Sequence, residues 1–374
     1  MPEQAEFIKL PVQGRYSLVG PPGSGKTNLL LLRAQYIAGT GEKNVLIVTY
    51  SRALSDFIRS GIGKSGLISA DQVKTFHSWA GGHIVDHLGF GASPTNGQFD
   101  DARRAEIVAK LKEANARLAT SKVYSAIFVD EAQDLSVGEL ELLLCLSDKV
   151  CICGDGRQGI YEQDGLAVAE KLNLTPHTLT SHFRIGQRIA QVADKLMPPL
   201  DGSLGLEATA NYNPKIQGTS TAKLVSLKSR DEQFSEMETL IRVQLIAFKD
   251  DSIGVFSGTQ ATIAELKERF EKTDLSDLVA YHNGDGEASF SSDKRIHVMT
   301  LHSAKGTEFR AVHIYGAEEL AGYPLRRTKL AYTGITRAKT ALNVYRTGET
   351  SKALENAFAE QKLVDLDDLF EEKA

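Results

Sequence analysis

Residues 15 to 27 read RYSLVGPPGSGKT: an apolar run breaks on glycines, and the helical stretch NLLLL follows at once. The segment GPPGSGKT fits G-x-x-x-x-G-K-[ST] between a strand and a helix, the setting that pattern requires. Its glycines let backbone N–H groups curl around phosphate oxygens, and the helix N-terminus adds its dipole. Gly20, Gly23, Ser24, Gly25, Lys26, Thr27 and Asn28 are therefore the candidate nucleotide-binding positions. Lys26 is expected to reach the β- and γ-phosphates, and Thr27 to hold Mg²⁺.

The rest of the chain keeps the same rhythm. NVLIVTY, VKTFHS, AIFVDE and KVCICGD read as strands in the first half, apolar on both faces as in a parallel sheet covered by helices. AKLVSLKS, SIGVFSG, RIHVMTLHS, AVHIYGA and ALNVYRTG form a second set beyond residue 220. A length of 374 residues suits two or three domains, and two α/β sheets in tandem is the natural reading. Residues 81 to 122 read as a Gly-rich loop followed by a polar helix, and 198 to 221 as a long surface connection. Residues 272 to 294 form a short polar segment, and the tail LVDLDDLFEEKA reads as an acidic, solvated helix.

Composition narrows the class. With 42% apolar and 24% charged residues the chain is globular, and a net charge of −5 offers no overall basic surface for nucleic acid. Any such ligand has to sit in a local groove. The three cysteines, Cys145, Cys151 and Cys153, cluster on one helix-to-strand segment and read as small core residues in a reducing cytoplasm. The N-terminus lacks the basic-then-apolar pattern of a signal peptide, and no apolar run approaches membrane-spanning length. His77, His83 and His87 have no Cys or carboxylate pattern to complete a metal set.

IFVDEAQD, residues 127 to 134, supplies the second half of a nucleotide site. A strand ending in Asp-Glu offers one carboxylate to Mg²⁺, Asp130, and a neighbour, Glu131, to orient an attacking water. This pairing predicts an NTPase rather than a passive binder.

Together with GPPGSGKT, DEAQD resembles the UvrD/Rep-type superfamily 1A helicases, and further motifs follow in that family's order. These are VLIVTYSRAL, TFHSWA, GDGRQGIY, LTSHFRIGQRIAQVAD, VMTLHSAKGTEFRAVHIYG and KLAYTGITRAKTAL. The likeness runs from about residue 16 to 348. It implies two tandem RecA-like P-loop NTPase domains, 1–177 with a small helical insertion at about 81–122, and 178–348, followed by a tail from 349 to 374. It further implies ATP and Mg²⁺ in the cleft, single-stranded DNA across the top with RNA as the other candidate, and 3′ to 5′ movement.

The later motifs then acquire roles. Two domains facing one ATP need positive charge from the second, which Arg184 and Arg337 are placed to give as arginine fingers. By resemblance Phe183 stacks on adenine, Gly306 and Glu308 meet the nucleotide, and His302 links the second domain to the γ-phosphate sensor. That sensor is Gln158, whose NH₂ suits a phosphate oxygen while its carbonyl takes another partner. Thr49, Tyr50, Arg52, Phe76, His77, Thr300 and His302 lie where relatives hold a nucleic-acid strand. Phe76 suits core packing equally well.

Two departures stand out. After GDGRQGIY the positions read Glu162, Gln163, Asp164 and Gly165, where relatives carry an aromatic and an Arg. An acid there repels a phosphate backbone. The segments 81–122 and 272–294 stand where relatives carry substantial inserted subdomains. A monomeric DNA helicase or translocase is the leading expectation. The alternative is a helicase-like ATPase subunit driving a protein partner such as a nuclease or repair factor.

Overall fold

The computed structural model describes residues 2–62, 66–89, 101–159, 163–199, 202–282, 294–322 and 324–359. The first sheet holds β1 (Arg15–Val19), β2 (Val45–Thr49), β3 (Val73–Thr75), β4 (Ala126–Val129), β5 (Val150–Gly154) and β6 (Thr175–Thr178). Their order is β3-β2-β4-β5-β1-β6, and every pairing is parallel. The second holds β7 (Thr221–Ser226), β8 (Ile253–Ser257), β9 (Val279–His282), β10 (Ile296–Thr300), β11 (Phe309–Ile314) and β12 (Ala338–Arg346). It too is wholly parallel, in the order β7-β12-β11-β8-β10-β9. The expected α/β class with tandem RecA-like sheets is what the chain builds.

Alternation within each strand feeds two cores per sheet. In β2, Val45 and Ile47 pack on one face while Leu46 and Val48 pack on the other. Cys151 and Cys153 share a face and are buried, as their spacing predicts, whereas Cys145 is exposed at the end of helix Val137–Leu144. That third cysteine is therefore not a core residue. Helices Arg230–Ala247 and Gln260–Phe270 cover one face of the second sheet, and helix Gln187–Leu196 helps to cover the other.

Several boundaries differ from the sequence reading. VKTFHS is a strand only to Thr75, because the Thr75 side chain accepts from the Ser78 N–H and starts helix Phe76–Leu88. That helix runs through Gly81 and Gly82, so the Gly-rich start of segment 81–122 is helical; residues 90–100 lie outside the described residues. Its Trp79 is buried and donates to the Tyr124 hydroxyl at 3.0 Å. The polar helix is present as Asp101–Ala116. β6 carries Pro176, tolerated because this strand is the sheet edge.

Beyond residue 349 the chain forms helix Lys352–Phe358, whose Leu354, Ala357 and Phe358 pack into the second core. Burying a Leu or Phe side chain stabilises by roughly 1.5–3 kcal/mol, so this helix is part of that fold. Residues 360–374, which include the tail LVDLDDLFEEKA, and residues 283–293 of segment 272–294 lie outside the described residues. No described helix is long and apolar enough to cross a membrane.

Candidate nucleotide cleft and nucleic-acid face

The C-terminal ends of β1, β4 and β5 converge on one edge of the first sheet, where parallel α/β sheets place their ligands. After β1 the chain turns through Gly23 at φ 76° and Gly25 at φ 90°, and Gly25 caps helix Lys26–Gly39. Lys26 folds its ammonium back onto the Gly20 and Pro21 carbonyls at 2.8 and 3.0 Å. The loop is thus closed around its own lysine, with the amine held where an anion would meet it. Ser24 is buried, and its carbonyl accepts from the Gln4 amide at 3.0 Å. Asn28 is exposed.

Asp130 follows β4 and is buried. Its Oδ1 accepts from the Glu131 N–H at 2.8 Å and from the Cys153 thiol at 2.9 Å. Burial, then the Glu131 charge, pushes the carboxyl up, while the nearby Thr27 hydroxyl pulls it back. Its Oδ2 is buried without a hydrogen-bond partner among the described residues. A cation resolves both features. The donor set fits Mg²⁺, which takes one or two protein oxygens and completes its shell with phosphate and water. Among the described residues no larger His/Cys/Asp/Glu cluster competes for a metal.

Glu131 sits at φ 54°, a left-handed conformation that costs a non-glycine residue about 1–3 kcal/mol and aims its carboxylate into the cleft. The Gln133 amide donates to Glu131 Oε2, and the Lys305 ammonium lies 3.6 Å away. Burial raises this carboxyl, but Lys305, Arg337 and Lys26 outweigh it and hold the group ionised. An ionised carboxylate at this position can accept a proton from water.

The turn Gly156–Gln158 after β5 brings in the second domain. Gln158 is buried, and its Oε1 accepts from Arg337 Nη2 at 2.7 Å. Its carbonyl accepts from the Lys305 ammonium at 2.8 Å. Arg337 also donates to the Thr333 carbonyl at 3.1 Å. Burial, then repulsion from Arg184, lowers its pKa to about 10, so it stays charged at neutral pH. Arg184 donates to Glu308 at 3.2 Å and to the Thr336 carbonyl at 3.0 Å. The Phe183 N–H donates to the Gly23 carbonyl at 3.1 Å, and a Cβ on Gly23 would lie 2.8 Å from Arg184 Cβ. Gly306 (φ 82°) packs on Leu54 across the domains.

Glu308 is exposed at the cleft rim, bonded to Lys339 at 2.8 Å as well as to Arg184. Its surroundings raise the carboxyl, but Arg184 and Lys339 outweigh this and bring it down to about 2. The predicted nucleotide residues of both domains thus meet in one cleft.

The nucleic-acid set is not brought together in the same way. Phe76 is fully buried in the first-domain core, which decides its role for packing. Thr49 is buried and donates to the Ser51 carbonyl at 3.0 Å. Thr300 is buried, with its hydroxyl capping the turn at Ser303, so neither threonine presents a side chain to a ligand. Tyr50 and His77 are half-buried, ring centroids 5.5 Å apart, and His302 is exposed. The Arg52 side chain and residues 160–162, including Glu162, lie outside the described residues. Asp164 is exposed.

Three residues of the site escaped the sequence reading. Lys305 reaches both Asp134 oxygens at 2.6 and 2.7 Å. Burial raises Asp134 to about 7, against the pull of Lys305. Arg104, from the polar helix, bonds Glu139 at 2.8 Å, the Tyr50 hydroxyl at 3.1 Å and the Asp134 carbonyl at 3.2 Å. Lys305 and Asp134 stand inside the motifs HSAKGTEF and DEAQD, which mark them as charges of opposite sign but give neither their burial nor their pairing. Nothing in the sequence ties Arg104 to Tyr50.

Comparison with known proteins finds matches in both halves of the chain. Residues 4–164 match the AAA domain family, and residues 295–345 match the UvrD-like helicase C-terminal domain. A probable DNA helicase of Mycoplasma pneumoniae is 26% identical over 66% of this chain and 49% of its own length. The F-box DNA helicase 1 of Gallus gallus is 32% identical over 28% of this chain and 11% of its own. A solved PRRSV helicase aligns over 93% of this chain and 54% of its own with a TM-score of 0.46 and 16% identity. The chain spans about half the length, or less, of the curated relatives it matches. The two family matches fall on the two sides of the cleft, and the second half of the chain is similar to the C-terminal domain of UvrD-like helicases.

Proposed function

We propose that the chain is an ATP-driven motor on single-stranded DNA, a translocase or helicase with 3′ to 5′ movement. The observation that carries this reading is the Gln158–Arg337 bond, which joins a second-domain cation to the turn after β5, near enough to Glu131 to help hold it ionised. ATP with Mg²⁺ supplies the transferable phosphoryl group. Lys26 and the loop amides hold the phosphate chain, Asp130 and Thr27 hold the cation, and Phe183 and Glu308 flank the nucleoside. Glu131 orients water and accepts its proton, while Arg337 and Arg184 offset the charge that develops on the phosphate.

Gln158 gives this chemistry a mechanical output. Its side-chain Oε1 already binds Arg337, so its amide NH₂ remains to meet a phosphate oxygen. Loss of that phosphate removes one of the bonds that favour apposed domains, biasing them to separate. Tyr50, His77 and His302 are the described side chains best placed to touch a strand. A cytoplasmic monomer fits this reading.

The experiment is ATP hydrolysis by the wild-type chain with single-stranded DNA, duplex DNA and RNA in parallel, beside Lys26→Ala. Hydrolysis stimulated most by single-stranded DNA and absent in Lys26→Ala supports the proposal. Equal rates in both proteins would sink it. Indifference to every nucleic acid, with stimulation by a co-purifying protein, would favour the partner-driven ATPase.

A further inference from the structure

Arg157 stands next to the sensor glutamine, yet its side chain points away from the nucleotide groups and into the other domain. We propose that Arg157 is a positioning residue for hydrolysis, keying the sensor turn into a second-domain socket formed by Asp194, the Met197 carbonyl and the Tyr332 ring. The inference rests on the ATPase reading above.

The socket is built from both sides. Arg157 Nη2 lies 3.2 Å from Asp194 Oδ1 and donates to the Met197 carbonyl, and the guanidinium stands 4.9 Å from the Tyr332 ring centroid. Asp194 is fixed independently: its Oδ2 accepts from the Glu207 N–H at 2.9 Å, and a Cβ at Gly205 would come within 2.4 Å of that oxygen. Glycine at 205 is thus what lets the loop close on the carboxylate. Tyr332 is fully buried in helix Pro324–Ile335.

That helix also orients Arg337, through the Thr333 carbonyl at 3.1 Å. One element therefore carries the ring under Arg157 and the carbonyl that aims the finger at Gln158. On the opposite side, the Arg157 N–H donates to Asp155 Oδ1 at 2.9 Å, so side chain and turn move together. Two adjacent residues of one turn are each bonded to the second domain, and displacing either displaces the other. Arginine suits this place because its planar group stacks and donates at once, which a lysine ammonium does less well.

The test is steady-state ATPase kinetics of the full chain and of Arg157→Ala, Arg157→Lys, Asp194→Asn, Gln158→Ala and the double variant R157A/Q158A. Affinity for a fluorescent ATP analogue and Tm are measured for each. Arg157→Ala is expected to lower kcat about ten-fold with KM and analogue affinity within about two-fold, the split of an interaction that acts on the chemical step. Asp194→Asn should do the same from the other domain, and Arg157→Lys should recover part of the loss.

Because Arg157 acts through Gln158, R157A/Q158A should be no slower than Gln158→Ala alone. Wild-type kcat in Arg157→Ala, or additive losses in the double variant, would overturn the inference. If Arg157→Ala does not fold, Asp194→Asn carries the same comparison. An inactive wild-type chain overturns the ATPase reading and this inference together. An active wild type with inactive Lys26→Ala and unaffected Arg157→Ala overturns this inference alone.

Discussion

Gln158 Oε1 accepts a 2.7 Å hydrogen bond from Arg337 Nη2, joining residues 179 positions apart in sequence and belonging to different domains. Both partners are buried, so the bond is not weakened by competing water. Arg337→Ala removes the cation from the cleft and leaves Gln158 Oε1 without its Arg337 partner. We expect kcat to fall by about 10³-fold or more, the scale of a lost arginine finger, with nucleotide affinity changed far less. Stopped-flow binding beside steady-state turnover checks this, and a variant that hydrolyses normally would remove Arg337 from the site.

Asp130 and Glu131 are adjacent in sequence but held in opposite electrostatic states. Asp130 is pushed up by burial with its Oδ2 unpartnered, while Glu131 is held down by Lys305, Arg337 and Lys26. The two should fail differently. Glu131→Gln should retain ATP and Mg²⁺ binding and lose about 10²–10⁴-fold in kcat, as expected for a lost base. Asp130→Asn should instead raise the Mg²⁺ concentration needed for half-maximal activity. Titrating Mg²⁺ against turnover in both separates them, and identical Mg²⁺ curves would contradict the division of roles.

Much of this was legible in the sequence. The P-loop, the Asp-Glu pair, Gln158 and the two arginines each sit in a short motif with its own strand or turn, and the parallel sheets assemble them at one edge. What could not be read were bonds between elements distant along the chain, such as Arg104 to Tyr50 and Lys305 to Asp134. Local patterning marks which residues are charged or apolar, not which partner a buried charge will find. Phe76 illustrates the other limit. An aromatic at a strand end suits a base or a core equally, and only the cap at Thr75, which turns the chain into a helix, sends it inward.

Phe76 and His77 therefore give opposite tests of the nucleic-acid face. Phe76→Ala should cost about 3–5 kcal/mol of stability, the scale of a large-to-small core change, and lower Tm. Its DNA concentration for half-maximal ATPase should stay near wild type at temperatures where it is folded. His77→Ala and His302→Ala alter half-buried and exposed side chains, so Tm should hold while that DNA concentration rises. A Phe76→Ala protein with unchanged Tm and weakened DNA response would return Phe76 to the binding face.

His313 makes the stability of the second domain depend on pH. It is fully buried on β11, with Nδ1 2.8 Å from the Tyr345 hydroxyl and Nε2 2.7 Å from Gln244 Oε1. Neutral imidazole satisfies both, donating from Nε2 to the amide oxygen and accepting at Nδ1 from the phenol. Burial lowers its pKa to about 3 from an ordinary 6.5. His297 on β10 is lowered to about 4, by burial first and then by His282, whose ring nitrogen is 2.9 Å away. Below pH 6.5 the unfolded chain binds protons that the folded chain refuses. Stability is thus fully present above that pH and declines as pH falls toward 4 and then 3, by up to about 1.4 kcal/mol per pH unit for each group. Thermal melts between pH 7 and 4 should therefore show Tm dropping with acid. His313→Gln keeps a donor and an acceptor but cannot titrate, so its Tm should drop less steeply over the same range. Parallel Tm–pH curves for wild type and His313→Gln would show that this histidine is not among the groups that set the acid stability.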